Sequence, residues 1–267
     1  MMNILACPVC QDPLYLLEKK WACGNLHSFD ISRTGYVHLL LSHQKESRDP
    51  GDSAMMVEGR REFLNAGHYA NLAATLAAVL SDFRSEIILD VGCGEGYFLH
   101  YLRVRLPAAT LIGVDISRTA INAAASREKS ATFIVSSSFR LPILSDAVDC
   151  VLRIMAPSDD TEVTRVLKNN GQYITVTPGP DHLYGLKQLI YANTSKNTPK
   201  VSTPAGFELV RREKVYSILD LTGAEIPSLL AMTPYYWSID GATRAKVAHT
   251  TKLSTPIDFD VSVLQKI

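Results

Sequence analysis

From residue 85 onward, short apolar runs alternate with segments of helical periodicity. This alternation is typical of a parallel β-sheet whose strands are joined by crossover helices. The apolar runs predict five strands, at Ile87 to Val91, Leu111 to Asp115, Thr132 to Ser136, Val148 to Ile154 and Gln172 to Thr177. The segments between them predict helices at about residues 96–105, 118–127 and 159–168, with Gly171 as the C-cap of the last. The predicted fold class is α/β with a doubly wound sheet.

Ahead of this sheet, the pattern predicts a polar loop and two helices. The loop spans residues 42–53, is punctuated by proline and glycine, and has no periodicity. A first helix is predicted over residues 53–64, with a serine at its N-cap, and an alanine-rich second helix from about Tyr69 to Phe83. Beyond residue 180 the pattern weakens, and residues 193–205 predict an exposed loop.

Four side chains near the N-terminus are typical zinc ligands: Cys7, Cys10, Cys23 and His27. The Cys-x-x-Cys spacing puts two thiolates on one tight turn, and a third thiolate with an imidazole completes the four-coordinate shell that structural Zn²⁺ prefers. Disulfides or buried free thiols are the alternative use of these cysteines. With all four positions filled by protein, the zinc is expected to be structural. A segment this short buries too little apolar surface to fold alone, so the metal is expected to supply its folding free energy.

Residues 28–41 alternate apolar and polar side chains around Gly35, which predicts a hairpin that completes a β-rich module. The polar loop after it is the predicted boundary. We therefore divide the chain into a zinc-binding module at residues 1–42, a linker with helices at residues 43–84, and the sheet domain at residues 85–267.

Composition and charge narrow the possible functions. The 267 residues are 46% hydrophobic and 20% charged, as in globular proteins. The chain shows neither a signal-peptide pattern nor an apolar run of 18 residues, so we expect no membrane span and a cytoplasmic location. With 27 basic and 27 acidic residues the formal net charge is zero, and any site for a polyanion must be local. The clearest basic bias lies in residues 183–214, which an ordinary solvated surface explains equally well.

The first predicted strand of the sheet runs into a glycine-rich turn that contains Gly92, Gly94 and Gly96. These glycines permit a tight strand-to-helix turn and let a ligand approach bare backbone. A dinucleotide fingerprint would place its third glycine one residue later, at Tyr97, which argues against NAD. At the end of the second strand, Asp115 is placed to accept both hydroxyls of a ribose. The alternative is that the glycines merely form a turn.

Residues 89–96, followed by Gly113-Val114-Asp115, resemble the class I S-adenosylmethionine-dependent methyltransferases. This resemblance implies a Rossmann-like fold in which the glycine turn holds the methionine part of the cofactor and Asp115 holds its ribose. It also places Asp90 among the cofactor-binding residues. Ser136, Ser137 and Ser138, after the third strand, are expected near the adenine.

Almost the whole chain resembles the bacterial 23S ribosomal RNA guanine-N1 methyltransferases, which carry an N-terminal Cys-x-x-Cys, Cys-x-x-x-His zinc domain. The other markers are Gly35-Tyr36-Val37, residues 47–53, Gly67-His68-Tyr69, Thr177-Pro178-Gly179-Pro180 with His182, and Met232-Thr233-Pro234. The resemblance implies methyl transfer from S-adenosylmethionine to N1 of a guanine in a 23S rRNA hairpin, with the guanine-745 branch favoured over the guanine-748 branch. It also implies a homodimer and a zinc module that contacts RNA.

By the same resemblance, S-adenosylmethionine is expected to contact Tyr69, Gly94, Glu95 and His182. The alternatives are a core aromatic residue for Tyr69 and a turn histidine for His182. One departure from the family pattern follows the fourth strand, where the usual aromatic residue is replaced by Met155. Stacking of a base at that position is therefore not assumed.

Guanine N1 carries a proton that a base must accept, and the guanine must first leave any duplex. Asp159 and Asp160 are candidate proton acceptors, although helix capping explains them as well, so the catalytic residues stay unknown. The run Tyr235-Tyr236-Trp237 is a candidate for stacking on the base or, equally, a core cluster. Two other functions stay open. One is methylation of a small molecule or protein, with the zinc module as a docking unit, and the other is a non-catalytic zinc-dependent RNA-binding protein.

Overall fold

The structure, a computed structural model, describes residues 3–44, 50–198 and 203–267. Its N-terminal part contains β1 (Tyr15–Leu17), β2 (Lys20–Ala22), β3 (Ser28–Asp30), β4 (Val37–His38), α1 (Ala54–Asn65) and α2 (Ala70–Phe83). The alternating part contains β5 (Ile87–Val91), α3 (Tyr97–Arg105), β6 (Thr110–Asp115), α4 (Arg118–Arg127), β7 (Thr132–Val135), β8 (Val148–Ile154), α5 (Asp160–Val166) and β9 (Leu167–Pro178). The C-terminal part contains α6 (Tyr184–Ile190), β10 (Phe207–Thr222), α7 (Glu225–Ala231), α8 (Tyr235–Ser238), α9 (Gly241–His249) and β11 (Lys252–Lys266).

Eight of these strands form one sheet in the order β10-β11-β9-β8-β5-β6-β7-β4. The strands from β4 to β9 pair in parallel, whereas β11 is antiparallel to both β9 and β10. Every residue of the central strand β5 is buried, as expected where helices and loops cover both faces of a parallel sheet. The predicted α/β class and all five predicted strands are confirmed, and so are the two helices before the sheet. Ser53 caps α1, accepting a hydrogen bond from the N–H of Met56.

The helix predicted over residues 159–168 is wrong at its C-terminal end. It stops at Val166, and the chain enters β9 at once, where Leu167 pairs with Val148 of β8. Gly171 is therefore not a helix cap but lies inside β9, where an added Cβ would meet the Lys168 carbonyl oxygen at 2.8 Å. Pairing with a neighbouring strand has overridden the local signal that a glycine after a helical pattern gives.

The two longest described strands, β10 and β11, have no counterpart in the sequence prediction. They pair along nearly their whole length, although three helices, α7 to α9, separate them in the chain. Because β10 is an edge strand with one exposed face, charged residues alternate with apolar ones and dilute the apolar signal. The pair extends past the end of β9, since Pro178 already lies opposite Phe259. The paired strands β10 and β11 therefore extend beyond the carboxyl end of β9.

The N-terminal segment covers part of one face of the large sheet. Strands β1, β2 and β3 form a small antiparallel sheet. Apolar residues of this segment, such as Leu14 and Trp21, belong to the same core cluster as Val114 and Val151 of the large sheet. A backbone bridge between Leu5 and Ile143 adds a second attachment. The opposite face of the large sheet carries a core that α2 and α3 share with β11.

The predicted hairpin over residues 28–41 forms only in part. The chain reverses at Gly35, but the two arms share a single bridge, between Ile31 and Val37. Strand β4 instead pairs in parallel with β7, because the edge of the large sheet offers it unpaired backbone groups. The domain division at residue 42 stays a prediction.

The basic bias of residues 183–214 is largely neutralised by nearby acids. Lys196 pairs with Asp181, Arg211 with Asp82 and Glu213, Arg212 with Asp260, and Lys214 with Asp258. Lys200 lies outside the described residues, as do residues 199–202 of the predicted loop at 193–205, whose other residues form neither helix nor strand. In the described parts of the chain, no helix is both long and apolar enough to cross a membrane.

Gly185 provides a test of how α6 packs against β11. A Cβ at this position would lie 2.3 Å from the carbonyl oxygen of Ser254, so backbone must move to admit it. We expect Gly185→Ala to lower the free energy of unfolding by about 1–3 kcal/mol in urea titrations. Gly241→Ala is the matched control, because nothing lies within 4 Å of a Cβ at that helical position. Equal stability of the two variants would contradict the close approach of α6 to β11.

Candidate cofactor and metal sites

The four predicted metal ligands converge on one point. Their ligand atoms all lie within 4.8 Å of one another. The Nδ1 atom of His27 is 3.6 Å from the Cys7 Sγ and 3.4 Å from the Cys23 Sγ, and the sulfurs of Cys10 and Cys23 are 3.7 Å apart. Zinc–sulfur bonds of about 2.3 Å and zinc–nitrogen bonds of about 2.0–2.1 Å give tetrahedral edges of roughly 3.5–3.8 Å. The donor set and its spacing therefore fit a structural zinc ion.

Two short turns hold the ligands in place. The N–H of Gln11 donates to the Cys7 carbonyl oxygen at 2.8 Å, and the N–H of Cys23 donates to the His27 carbonyl oxygen at 3.1 Å. Cys7 and Cys23 are buried in the core that the N-terminal segment shares with the large sheet. The metal site is thus part of the covering of that sheet face.

The glycine turn lies at the carboxyl end of β5, between the strand and α3. Gly92 and Gly96 both have positive φ, at +77° and +79°. A Cβ on Gly92 would lie 2.3 Å from the Cβ of Ala156, and one on Gly96 would lie 2.9 Å from the Cβ of Ala124. Conformation and space therefore both demand glycine here, and the turn offers bare backbone to a ligand.

Two acidic residues border this turn from adjacent strands. Asp90 is 1% exposed, and neither of its carboxylate oxygens has a hydrogen-bond partner among the described residues. Burial, with a contribution from the charge of Asp115, raises the pKa of Asp90 to about 8. A buried acid without partners is unusual in a structural role and is typical of a ligand site.

Asp115 is held by the backbone on both sides. Its Oδ2 accepts the N–H of Gly94 at 2.9 Å, and its Oδ1 accepts the N–H of Ser117 at 2.8 Å. Burial raises the pKa of Asp115, and these two hydrogen bonds counteract the rise. Each oxygen keeps a lone pair, so the oriented carboxylate can accept ribose hydroxyls. Ser136 adjoins it, since its N–H donates to the Asp115 carbonyl oxygen at 3.0 Å. The acceptor oxygens and the bare backbone around the turn fit S-adenosylmethionine.

Glu95 belongs to the turn, and its side chain forms an ion pair with Arg127 of α4. It is 2% exposed, and its Oε2 lies 3.0 Å from the guanidinium of Arg127 in α4. Burial raises the pKa of Glu95, while the charges of Arg127 and Arg60 oppose the rise. A contact between Glu95 and a cofactor stays a prediction.

Tyr69 and His182 lie in one aromatic cluster together with Phe63 and Phe259. The ring centroid of Tyr69 is 6.5 Å from that of His182, 4.9 Å from Phe259 and 5.4 Å from Phe63. His182 accepts the N–H of Asp258 at Nδ1, and burial lowers its pKa to about 4, so the ring is neutral at pH 7. Both side chains are buried, the environment expected of a core aromatic residue, and their contact with a cofactor stays a prediction.

The candidate proton acceptors both have structural partners. Asp159 is the N-cap of α5, where its Oδ1 accepts the N–H of Thr161 at 2.8 Å. Asp160 accepts the hydroxyl of Tyr173 at 3.1 Å and lies 3.5 Å from the guanidinium of Arg153. These contacts account for both side chains, and a role in proton transfer stays a prediction.

The predicted aromatic run is divided between two environments. Tyr235 meets Tyr191 edge to face, and Tyr236 lies under the guanidinium of Arg244. Trp237 is 63% exposed and donates its indole N–H to the sulfur of Met56. Of these three aromatic residues, only Trp237 is mostly exposed to solvent.

Two residues at this edge of the sheet escaped the sequence prediction of the site. Arg60 in α1 places its guanidinium 3.3 Å from the position of a Cβ on Gly94 and pairs with Asp52. Met155, noted only as a departure from the family pattern, follows β8 directly, has a φ of +52°, and is 42% exposed. The left-handed backbone conformation of Met155 cannot be recognised from a single sequence. For Arg60 the only signal was that its helix follows the resembling block at residues 47–53.

Two family models match the chain. The zinc-ribbon model described as "RlmA, N-terminal" matches residues 5–48, and the model described as "Methyltransferase domain" matches residues 88–171. The first therefore spans the metal tetrad, and the second begins in β5 and includes the glycine turn and Asp115.

Three similar proteins cover nearly the full length. A putative 23S rRNA (guanine-N(1)-)-methyltransferase from Micromonospora griseorubida is 31% identical over 97% of this chain and 95% of its own. The 23S rRNA (guanine(748)-N(1))-methyltransferase of Streptomyces fradiae is 30% identical over 90% of this chain and 88% of its own. The putative 23S rRNA (guanine-N(1)-)-methyltransferase YxjB of Bacillus subtilis strain 168 is 31% identical over 98% of this chain and 96% of its own.

We expect one zinc ion per chain, lost in His27→Ala and retained in His27→Cys, since four thiolates also bind zinc. Elemental analysis by mass spectrometry measures the ratio. Because β4 pairs with β7, hydrogen exchange in His27→Ala should also rise at residues 132–135. Zinc retained in His27→Ala, or zinc lost without faster exchange in β7, would contradict this placement of the metal site.

His182 predicts a pH dependence of stability. Its pKa is lowered by burial from 6.5 to about 4, so between these values the unfolded chain binds a proton that the folded chain does not. Its contribution to stability is therefore complete above pH 6.5 and declines as the pH falls towards 4, by about 3 kcal/mol in all. In urea titrations at pH 7 and pH 5, His182→Gln should lose less stability on acidification than the unaltered chain. Parallel losses would show that His182 is not buried in its neutral form.

Proposed function

Because the chain belongs to the family of 23S ribosomal RNA guanine-N1 methyltransferases, we propose that it transfers a methyl group from S-adenosylmethionine to N1 of guanine 745 in a 23S rRNA hairpin. One observation carries the proposal. A glycine turn lies between the backbone-held Asp115 and the unpartnered Asp90, in a chain that also holds a Cys₃His metal tetrad. The turn supports a nucleoside cofactor, and the tetrad supports the zinc module of this family.

We assign cofactor binding to the carboxyl edge of β5 and β6. S-adenosylmethionine supplies an electrophilic methyl group on a sulfonium ion. The backbone at Gly92 to Gly96 accommodates the methionine part, and Asp115 accepts hydrogen bonds from the ribose. The unpartnered carboxyl group of Asp90 forms hydrogen bonds with polar groups of the ligand. Glu95, Tyr69 and His182 complete the proposed set from the turn and from the aromatic cluster beside it.

Methylation of guanine N1 requires removal of the N1 proton and alignment of N1 with the methyl group. The carboxyl end of β8 faces the same edge of the sheet as the glycine turn, and Ala156 touches Gly92 there. Met155 is the exposed apolar side chain at this end, so we propose that the target base packs against its thioether. Asp159, Asp160 and a backbone carbonyl are the candidates for the proton acceptor.

The zinc module supports recognition of the RNA. It carries a set of apolar side chains that are 37% to 91% exposed, namely Val9, Tyr15, Leu16, Leu17 and Leu26. Unpaired RNA bases stack on aromatic and apolar surfaces of this kind. The homodimer that the family resemblance implies stays a prediction, and so does the cytoplasmic location expected from the sequence pattern.

Guanine 748 is a second candidate for the methylated position. The relative from Streptomyces fradiae, which covers 90% of this chain, is named for that guanine. Both positions demand the same chemistry, so the choice between them depends on how the hairpin is held and not on the cofactor site. Family membership disfavours the two other functions, a methyltransferase for small molecules or proteins and a non-catalytic RNA-binding protein.

The test uses hairpin transcripts of 23S rRNA in which adenine replaces guanine 745, guanine 748 or both. We expect the protein with S-adenosylmethionine to methylate the transcript that retains guanine 745. Reverse transcription should then stop there, because a methyl group on N1 blocks base pairing. Gly92→Ala should abolish the stop, since its Cβ would overlap Ala156. A stop only at guanine 748 would select the second candidate, and no stop in any transcript would contradict the proposed function.

A further inference from the structure

The Arg60 side chain lies against the glycine turn, and its ion-pair partner, Asp52, lies outside the turn. The guanidinium of Arg60 lies 3.3 Å, and its Cδ 3.9 Å, from the position of a Cβ on Gly94. Arg127, another cation beside the turn, is ion-paired with Glu95 and donates a hydrogen bond to the Asn65 side-chain oxygen. Arg60 is 27% exposed and therefore remains within reach of a ligand.

The surroundings of Arg60 are strongly acidic. Asp90, Glu95 and Asp115 border the turn, and Asp52 forms an ion pair with Arg60. S-adenosylmethionine carries a carboxylate on its methionine part, and the Asp115 carboxylate would repel it in the absence of a nearby cation. An arginine guanidinium binds a carboxylate through two parallel N–H donors, which fixes its orientation as well as its charge.

The segment before α1 holds Arg60 in this position. The Ser117 hydroxyl donates to the Asp52 carbonyl oxygen at 2.9 Å, which fixes residue 52 on the loop that follows β6. Asp115, the last residue of β6 and two residues before Ser117, accepts the Gly94 N–H. Hydrogen bonds and an ion pair thus connect Asp115, the acid proposed for the ribose, with the glycine turn on one side and, through Ser117 and Asp52, with the Arg60 guanidinium on the other.

We infer that Arg60 binds the carboxylate of the methionine part of S-adenosylmethionine, and that Asp52 orients the Arg60 guanidinium for this contact. The inference rests on the cofactor site proposed above. It assigns a charge-recognition role to α1, a helix that the sequence places in a linker. It also assigns the two ends of the ligand to different residues: Asp115 binds the ribose, and Arg60 binds the carboxylate of the methionine part.

The test compares two ligands that differ only in the carboxylate: S-adenosylhomocysteine and its decarboxylated analogue, S-adenosyl-3-thiopropylamine. Titration calorimetry measures the affinity of the full chain for both. We expect Arg60→Gln to weaken binding of S-adenosylhomocysteine on the order of tenfold to a hundredfold, the usual effect of losing a hydrogen-bonded charge pair. Binding of the decarboxylated analogue should change by less than about twofold, because it lacks the group that Arg60 recognises.

Two further variants separate recognition from folding. Arg61→Gln is the matched control, because this neighbouring arginine is 48% exposed and pairs with Glu58 in its own helix, and its affinities should match those of the unaltered chain. Asp52→Asn removes the ion pair but keeps Arg60, so it should retain more affinity for S-adenosylhomocysteine than Arg60→Gln does. Thermal unfolding of each variant verifies that it is folded.

Three results would overturn the inference. Equal weakening of both ligands in Arg60→Gln would mean that Arg60 supports the shape of the turn instead of reading the carboxylate. Unchanged affinity for S-adenosylhomocysteine would mean that Arg60 does not reach the ligand. Failure of the unaltered chain to bind either ligand would contradict the cofactor site and with it the proposed function. The first two results would overturn only the role of Arg60 and would leave the proposed function intact.

Discussion

The structure depends on burying both faces of a parallel sheet. The central strand β5 is buried at every position, so each face of the sheet needs its own cover of apolar side chains. Helices α2 and α3 supply one cover together with the aromatic cluster around Tyr69. The other cover is completed by the N-terminal segment, whose Leu14 and Trp21 share a core with the sheet. This segment is too short to fold through apolar burial alone, so we expect the metal tetrad to supply the remaining free energy that closes that face.

The same layering determines where ligands can bind. Parallel strands bring their carboxyl ends to one edge, so Asp90, Gly92, Asp115 and Met155 gather there although they are distant in sequence. The helices before the sheet return to this edge, and α1 sets Arg60 against the turn. The segment between the zinc module and the sheet is therefore part of the site.

The features that the sequence predicted well are those encoded locally. Buried strands appear as apolar runs, and the Cys-x-x-Cys spacing and the glycines of the turn report geometry within a few residues. The features it missed depend on distant partners. The ends of α5 and β9 were decided by pairing with β8, and β10 finds β11 across three intervening helices. The contact between Arg60 and Gly94 is of the same kind, since no periodicity links one helix to a turn two elements away.

The metal site and the cofactor site are connected through a single strand. Strand β7 pairs with β4 of the N-terminal segment on one side and with β6 on the other. Directly after β7, the N–H of Ser136 donates to the Asp115 carbonyl oxygen. The backbone of Asp115, the acid proposed to bind the ribose, is thus one strand away from a segment whose folding we expect to depend on a metal ion. Since the four ligands fill a tetrahedral shell, this ion has no position for water and contributes structure alone. We expect it to affect the reaction only indirectly, by stabilising the part of the sheet that carries Asp115.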